Sequence, residues 1–296
     1  MNQHQAPLAP SAWKDFWDRG GWWKALGFVA VYLAIYSLAP FLFLPLTKNA
    51  VNADNVFATP SSVLAALALP LVIGSAVLIG FALSVRWLPR PLLGRQPVPA
   101  RPWMWAAVVL VLIPVLLRLF GTDYSRYSGG VIAATFLSGA LVGFSEELLT
   151  RGVVVTLLRR RGYQEWSVAA LSSLLFALAH SLNVFTGQAL GAVGFTLLYT
   201  FCFGVLMYLV MRVTGSIVGA MLLHALTDPT TMLATGGVDT STAGTHSTLL
   251  SLATPATVLL MIGAVVLLAL IRGHANGRAD AGEPARFPAL DQPGGR

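Results

Sequence analysis

Residues 131–162 read VIAATFLSGALVGFSEELLTRGVVVTLLRRRG. The stretch is apolar for long enough to cross a bilayer, which takes about 20 residues of helix, yet Glu146, Glu147 and Arg151 lie inside it. Each charged side chain in the hydrocarbon region costs at least about 2.5 kcal/mol. Such a group of charges therefore indicates a functional site that faces the interior of a helix bundle or a water-filled cavity.

The rest of the chain has the composition of a membrane protein. Of its 296 residues, 56% are hydrophobic and only 10% are charged, whereas an average soluble domain has about 25% charged residues. Runs long enough to span the bilayer fall near 25–46, 62–85, 103–121, 131–158, 166–185, 190–211, 215–233 and 249–271. The sequence therefore predicts an all-α polytopic transmembrane helix bundle with about eight spans.

Hydropathy divides the chain into three segments. Residues 1–24 are polar and then aromatic, and we expect a short helix in the headgroup region there. Residues 25–271 form the predicted membrane domain, and the motif-bearing core is 131–233. Residues 272–296 are rich in Gly, Pro and charge, which is typical of a disordered tail. The single cysteine, Cys202, excludes an intrachain disulfide.

Basic residues in the loops predict the orientation, because positive charge accumulates in cytoplasmic loops. The loops after the second, fourth and sixth spans, together with the tail, carry most of the arginines: Arg86, Arg90, Arg95, Arg101, Arg159, Arg160, Arg161, Arg212, Arg272, Arg278, Arg286 and Arg296. Only Lys48 and Arg126 lie in the opposite loops. We therefore predict a multi-pass protein of the cell membrane, most consistent with a bacterial inner membrane, with both termini in the cytoplasm. This placement also accounts for the basic net charge without nucleic acid as a partner.

Further polar groups lie at similar depth in later spans. His180 is in the fifth span, and His224 and Asp228 are in the seventh. At a rise of about 1.5 Å per residue, Glu146, His180 and Asp228 all lie about 20 Å from the cytoplasmic ends of their helices, and His224 about 14 Å. We therefore expect these side chains to converge.

Spacing along each helix indicates partners. Glu147 and Arg151 are four residues apart, which allows a charge-assisted pair on one helix face. Glu146 is rotated by about 100° and remains free for chemistry. His224 and Asp228 are also four apart, which allows a hydrogen bond between them. A carboxylate beside imidazoles can deprotonate water and then protonate a leaving amine.

Small residues precede both acidic motifs. Gly139 and Gly143 form one GxxxG step, and Gly215 and Gly219, followed by Ala220, form another. Small residues at this spacing let transmembrane helices pack closely. We expect both steps to serve ordinary packing of the bundle.

The order of these residues resembles that of the CPBP family of intramembrane glutamic endopeptidases, which includes CAAX prenyl endopeptidases and bacteriocin-processing or self-immunity proteins. The family motif EExxxR is matched by EELLTR at 146–151, and FxxxH is matched by FALAH at 176–180. The third motif, HxxxN or its Asp variant, is matched by HALTD at 224–228. The resemblance covers roughly 131–233.

The resemblance implies a role for each motif residue. Glu146 would activate the attacking water with the help of His180, while Glu147 and Arg151 would hold Glu146 in place. The substrate would be a peptide or membrane protein in or at the bilayer, and no cofactor would be needed. A bacterial cell generally lacks prenylation, so an unprenylated peptide precursor, leader peptide or membrane-protein segment is the favoured substrate class.

His224 and Asp228 would stabilise the oxyanion of the tetrahedral intermediate. Here the chain departs from the form of the motif with Asn, because an ionised Asp cannot donate a hydrogen bond to an oxyanion. Asp228 must therefore be protonated or act by orienting a charged His224. The spacing favours the second role.

Three alternatives remain open at the level of sequence. Two His and a Glu can bind zinc with a water as fourth ligand, although no HExxH is present. The chain can instead be a non-catalytic membrane scaffold or immunity protein, against which the intact motifs argue. Buried charges also mark ion pathways in transporters, but matching halves, which transporters usually show, are not detectable.

Overall fold

Eight helices long and apolar enough to cross a membrane lie within residues 11–186, 189–237 and 247–275, the ranges that the computed structural model describes. In chain order, the first to eighth membrane helices are Trp22–Pro45, Pro60–Ser84, Pro102–Gly121, Gly129–Arg160, Glu165–Phe185, Leu190–Thr214, Ile217–Thr235 and Thr248–Leu270. The described residues contain no strand, so the predicted all-α bundle is confirmed. The largest differences from the predicted boundaries are three residues, at Trp22 and Thr214.

The division into a segment 1–24, a membrane domain 25–271 and a tail 272–296 stays a prediction. Residues 1–10 and 276–296 lie outside the described ranges, and the expected disorder of the tail falls largely on them.

The centre of the bundle is formed by the sixth and fourth helices. In the apolar window of the sixth helix 61% of residues are buried, against 17% in the first, which therefore lies at the periphery. The fourth helix packs against the second and seventh, the third against the sixth, seventh and eighth, and the fifth against the sixth. The predicted site residues thus lie on helices that surround one interior region.

The fourth and seventh helices contact each other through their main chains. A Cβ atom on Gly139 would lie 2.5 Å from Cδ of Pro229, and one on Gly143 would lie 2.5 Å from the Met221 carbonyl oxygen and 2.7 Å from the Ala225 nitrogen. No side chain larger than hydrogen fits there. The predicted close packing at the first GxxxG step is confirmed.

The second GxxxG step has a different role from the one predicted. Gly215 has φ 78°, a left-handed conformation that ends the sixth helix, and a Cβ there would meet nothing within 4 Å. The Ser216 side chain accepts a hydrogen bond from the Val218 N–H at 3.3 Å and begins the seventh helix. The atoms nearest to a Cβ on Gly219 would be those of the nearby Thr214 side chain, at the end of the sixth helix. This step is therefore a tight antiparallel turn, because glycine adopts positive φ without strain.

The fourth helix changes its winding directly after the acidic pair. Residues Leu148–Val154 form wider π-helical turns, and all of them are buried. Such insertions shift the face that each following side chain presents and often occur at functional sites. Nothing in the apolar pattern of this segment predicts the change.

Two arginines that we predicted in loops lie inside the bundle. Arg159 and Arg212 are 8% and 2% exposed, and both pair with Glu165, at 2.7 and 3.1 Å. The reason is that Glu165 is fully buried at the start of the fifth helix and needs compensating positive charge. The loop between the second and third helices keeps exposed arginines, among them Arg90 and Arg95.

The predicted N-terminal helix forms over Ala12–Asp18 and packs on the second membrane helix. The Trp13 indole nitrogen donates to Oγ of Ser84 at 3.0 Å, and the Trp17 ring lies 5.0 Å from that of Phe81. The aromatic side chains Trp13 and Trp17 of this helix therefore contact protein.

Asp18 fastens this short helix to the fourth membrane helix. Its carboxylate pairs with Lys14 and Arg160 and accepts a hydrogen bond from the Trp87 indole at 2.9 Å. Burial opposes the charged form, but the hydrogen bonds from Lys14 and Trp87 and the charge of Arg160 outweigh it, so the pKa of Asp18 is lowered below 3.8.

Candidate active site

Glu147 joins the fourth and seventh helices. Its Oε1 accepts hydrogen bonds from Nη1 of Arg151 at 3.1 Å and from Nδ1 of His224 at 2.8 Å. The side chains of Glu147 and Arg151 are fully buried. The predicted pair of Glu147 and Arg151 therefore forms, and it extends to an imidazole on the facing helix.

Arg151 links three helices. Its Nη1 also donates to Oγ1 of Thr150 at 2.6 Å, and its Nη2 donates to the Gly204 carbonyl at 2.8 Å. The guanidinium carbon lies 4.8 Å from the centre of the Phe176 ring, a cation–π contact. A Cβ on Gly204 would lie 3.1 Å from Nη2, so glycine at this position leaves room for the guanidinium.

His224 presents its second ring nitrogen to the other two acids. Because Nδ1 donates to Glu147, Nε2 faces Oε2 of Glu146 at 3.6 Å and Oδ1 of Asp228 at 3.7 Å. The ring is 2% exposed and lies edge-on to Phe203, with centroids 4.8 Å apart. The expected hydrogen bond between Asp228 and His224 is wrong in this geometry, since 3.7 Å exceeds hydrogen-bond length. Glu147 orients the ring instead.

The two acids that face Nε2 are the accessible ones. The side chains of Glu146 and Asp228 are each 29% exposed, whereas that of Glu147 is fully buried. Adjacent positions on the fourth helix therefore hold two carboxylates in different surroundings. Glu147 is embedded in protein, and Glu146 is partly exposed, as the helical rotation predicted.

His180 joins the site through Phe176. The fifth helix tightens to 3₁₀ geometry over His180–Thr186, and Nδ1 of His180 lies 3.0 Å from the Phe176 carbonyl oxygen. In the tautomer that donates to this carbonyl, Nε2 carries the free lone pair. The Phe176 ring lies 5.0 Å from the His180 ring and 6.0 Å from the His224 ring. His180 also interacts electrostatically with Glu146.

Two tyrosines that lie near Glu146 were not selected as site residues from the sequence. Tyr32 and Tyr36 of the first helix stack with ring centroids 6.1 Å apart, and both interact electrostatically with Glu146. A Cβ on Gly74 would lie 2.5 Å from the Tyr32 hydroxyl, so this glycine lets the ring reach the site. The sequence feature that could have identified them is their spacing, because two tyrosines four residues apart in an apolar segment place their hydroxyl groups on one face of a helix.

The site thus brings the predicted residues together in two ways. Glu146, Glu147, Arg151, His224 and Asp228 form one set of contacts between the fourth and seventh helices. His180 is connected to this set through the Phe176 ring, which lies beside both His180 and His224. Among the described residues, no three His, Cys, Asp or Glu side chains are placed to hold one metal ion. The arrangement offers an accessible carboxylate beside a buried imidazole.

Comparison with known proteins shows what the central segment is similar to. Residues 128–230 match the family model described as Type II CAAX prenyl endopeptidase Rce1-like. No curated protein and no solved structure matches the chain. The matched segment contains every residue that the three motifs selected, and the eight apolar helices make the chain a multi-pass membrane protein. Over residues 128–230, which are less than half of the chain, the protein is similar to the CAAX-type membrane endopeptidases.

Proposed function

We propose that this chain is an intramembrane endopeptidase in which Glu146 activates the water that hydrolyses a peptide bond. The observation that carries the proposal is the position of the Glu146 carboxylate, 3.6 Å from Nε2 of His224. It is half-buried, while the imidazole is fixed by Glu147 at 2.8 Å. A base and a potential oxyanion partner therefore face each other from two helices.

The reaction needs one proton carrier. As the water oxygen bonds to the carbonyl carbon, the Glu146 carboxylate accepts the water proton and the carbonyl π electrons move onto oxygen. When the C–N bond breaks, Glu146 returns the proton to the amine nitrogen. General base catalysis of this kind contributes about 10²–10⁴-fold. His180 would position the water through Nε2.

His224 would stabilise the oxyanion from Nε2 in its protonated form. Glu147 then acts on His224, which it contacts, and not on Glu146 as the family resemblance implied. Asp228, 3.7 Å from the same nitrogen, would balance the imidazolium charge. Groups fixed before the reaction need no reorganisation when the oxyanion forms.

The test of the base compares Glu146→Gln with Asp54→Asn, which removes an exposed charge away from the site. New N-termini in the membrane proteome, found by N-terminal labelling and mass spectrometry, should appear in cells with wild type or Asp54→Asn and be absent with Glu146→Gln. Unchanged cleavage by Glu146→Gln would show that another group is the base. Identical proteomes with and without the wild-type chain would favour a non-catalytic scaffold.

A second arm of the test concerns metal and substrate. Activity of the purified protein on a peptide found in this way should persist after chelation, and loss that zinc restores would favour the metalloprotease alternative. The same peptide should be cut without a prenyl group. A requirement for prenylation would move the substrate to the CAAX class named in the family model.

The proposed orientation places both termini, and the loop between the second and third membrane helices, in the cytoplasm of a bacterial cell. Cysteines at Arg95 and Arg126, each in a Cys202→Ser background, test it because both positions are exposed. An impermeant maleimide should label the Arg126 position in intact cells and the Arg95 position only after lysis. The reverse pattern would invert the topology.

A further inference from the structure

A basic cavity lies away from the catalytic residues, where three membrane helices end. Its volume is about 530 Å³, and it lies between the start of the third helix, the ends of the sixth and eighth helices and the segment that follows the eighth. Its lining includes Arg101, Trp103, Arg212, Leu270, Arg272 and His274. Among the described residues, no acidic side chain lines it.

A buried network behind the cavity carries excess positive charge. Arg159 donates to both oxygens of Glu165, at 2.9 and 2.7 Å, and Arg212 donates to the same carboxylate at 3.1 Å. The Tyr208 hydroxyl donates to it as well. Two guanidinium groups therefore share one carboxylate. Burying a charge without full compensation is costly, so an anion beside this network is favoured.

Arg212 belongs to this buried network and also lines the cavity. Its Nη2 donates to the Pro99 carbonyl at 2.7 Å, while its buried Nε has no hydrogen-bond partner among the described residues. The two other lining arginines, Arg101 and Arg272, are exposed. Within the described part of the chain, neither has a carboxylate in ion-pair range. Three guanidinium groups thus border one cavity without an acid in its lining.

We infer that this cavity binds a phosphate group, supplied by an anionic lipid headgroup or by free inorganic phosphate. Guanidinium groups match phosphate oxygens in pairs of parallel hydrogen bonds. The cavity lies where membrane helices end, which is the depth of lipid headgroups, and basic pockets between helices at this depth bind anionic lipids. Trp103 in its wall is typical of the same interface.

The test compares two charge-matched double variants of the full chain. Arg101→Gln with Arg272→Gln removes the two exposed arginines of the cavity and leaves the buried network intact. Arg90→Gln with Arg95→Gln removes two exposed arginines of the neighbouring loop, outside the cavity. Each protein is reconstituted with phosphatidylcholine alone or with added phosphatidylglycerol, and retained lipid is identified by native mass spectrometry. Calorimetry with inorganic phosphate in detergent forms the second arm.

Wild type and the loop variant should retain phosphatidylglycerol over phosphatidylcholine, and the cavity variant should lose this preference by roughly tenfold or more. Phosphate binding that depends on Arg101 and Arg272, without a lipid preference, would identify free phosphate as the source. Equal behaviour of the two double variants in both arms would overturn the inference.

Discussion

Removing Arg151 should destabilise the protein strongly, and removing its partner as well should restore much of the loss. The guanidinium lies 3.1 Å from the Glu147 carboxylate, and both side chains are fully buried. At an effective dielectric constant of about 20, the Coulomb attraction at this distance is about 5 kcal/mol. Breaking a buried pair on one side costs about 3–5 kcal/mol, because the remaining charge stays uncompensated. We expect Arg151→Met and Glu147→Gln each to fall in this range.

The double variant separates folding from catalysis. Glu147→Gln combined with Arg151→Met leaves no stranded charge in the pair, so the free energy of unfolding should recover by about 2–3 kcal/mol relative to the sum of the single losses. Activity should not recover, because His224 has lost the carboxylate that holds its Nδ1 at 2.8 Å. Reversible unfolding in mixed micelles, followed by tryptophan fluorescence, measures the first quantity, and kcat measures the second.

Arg95→Met, at an exposed position, is the control and should change stability by less than about 0.5 kcal/mol. If Arg151→Met lowered the free energy of unfolding by less than about 1 kcal/mol, the structural role of the pair would be refuted, because a buried charge without a partner is more destabilising than that. A double variant with wild-type kcat would refute the positioning of His224 by Glu147.

Three further predictions follow from single contacts. Asp228→Asn should lower kcat by about tenfold, the effect of about 1.4 kcal/mol, and normal activity of Asp228→Ala would remove this residue from the mechanism. Gly143→Ala should lower stability by about 1–3 kcal/mol together with activity, because its Cβ would lie 2.5 Å from a carbonyl of the seventh helix; Gly194→Ala, with nothing within 4 Å, is the control. Because the pKa of Asp18 is lowered below 3.8, its contribution to holding the N-terminal helix is complete above that pH and is lost as the pH falls through the lowered value. A spin label on this helix should become mobile on acidification in wild type and be mobile at every pH in Asp18→Asn, and equal spectra would exclude the ion pair with Arg160 as the tether.

The fold was predictable because the bilayer imposes a length on every apolar segment. Polar residues at matching depths on three helices predicted their convergence, and Glu146, His224 and Asp228 of the fourth and seventh helices lie within 3.7 Å of one another through Nε2 of His224. Their spacing along one helix also gave the pair of Glu147 and Arg151. Local periodicity suffices for such questions, since residues four apart on a helix are neighbours.

Contacts between helices were not predictable in the same way. The expected bond between His224 and Asp228 followed from spacing, but a carboxylate on the facing helix binds Nδ1 instead. Arg159 and Arg212 were wrongly placed in exposed loops. Their buried partner Glu165 lies at the start of a helix, where a charged residue in the sequence is indistinguishable from a loop residue. Such pairings depend on how each helix is rotated about its axis. The π-helical turns of the fourth helix change this rotation, and no pattern in the sequence predicts them.

The contact between Glu147 and His224 has a consequence for biosynthesis. Glu147 belongs to the fourth membrane helix and His224 to the seventh, so the ribosome synthesises the carboxylate well before the imidazole that it contacts. A nascent chain therefore enters the bilayer with Glu146, Glu147 and Arg151 but without His224, the imidazole of the proposed site. Only insertion of the seventh helix, which packs against the fourth at Gly139 and Gly143, supplies it. If the proposed mechanism holds, the order of translation would leave the site incomplete until the seventh helix is inserted.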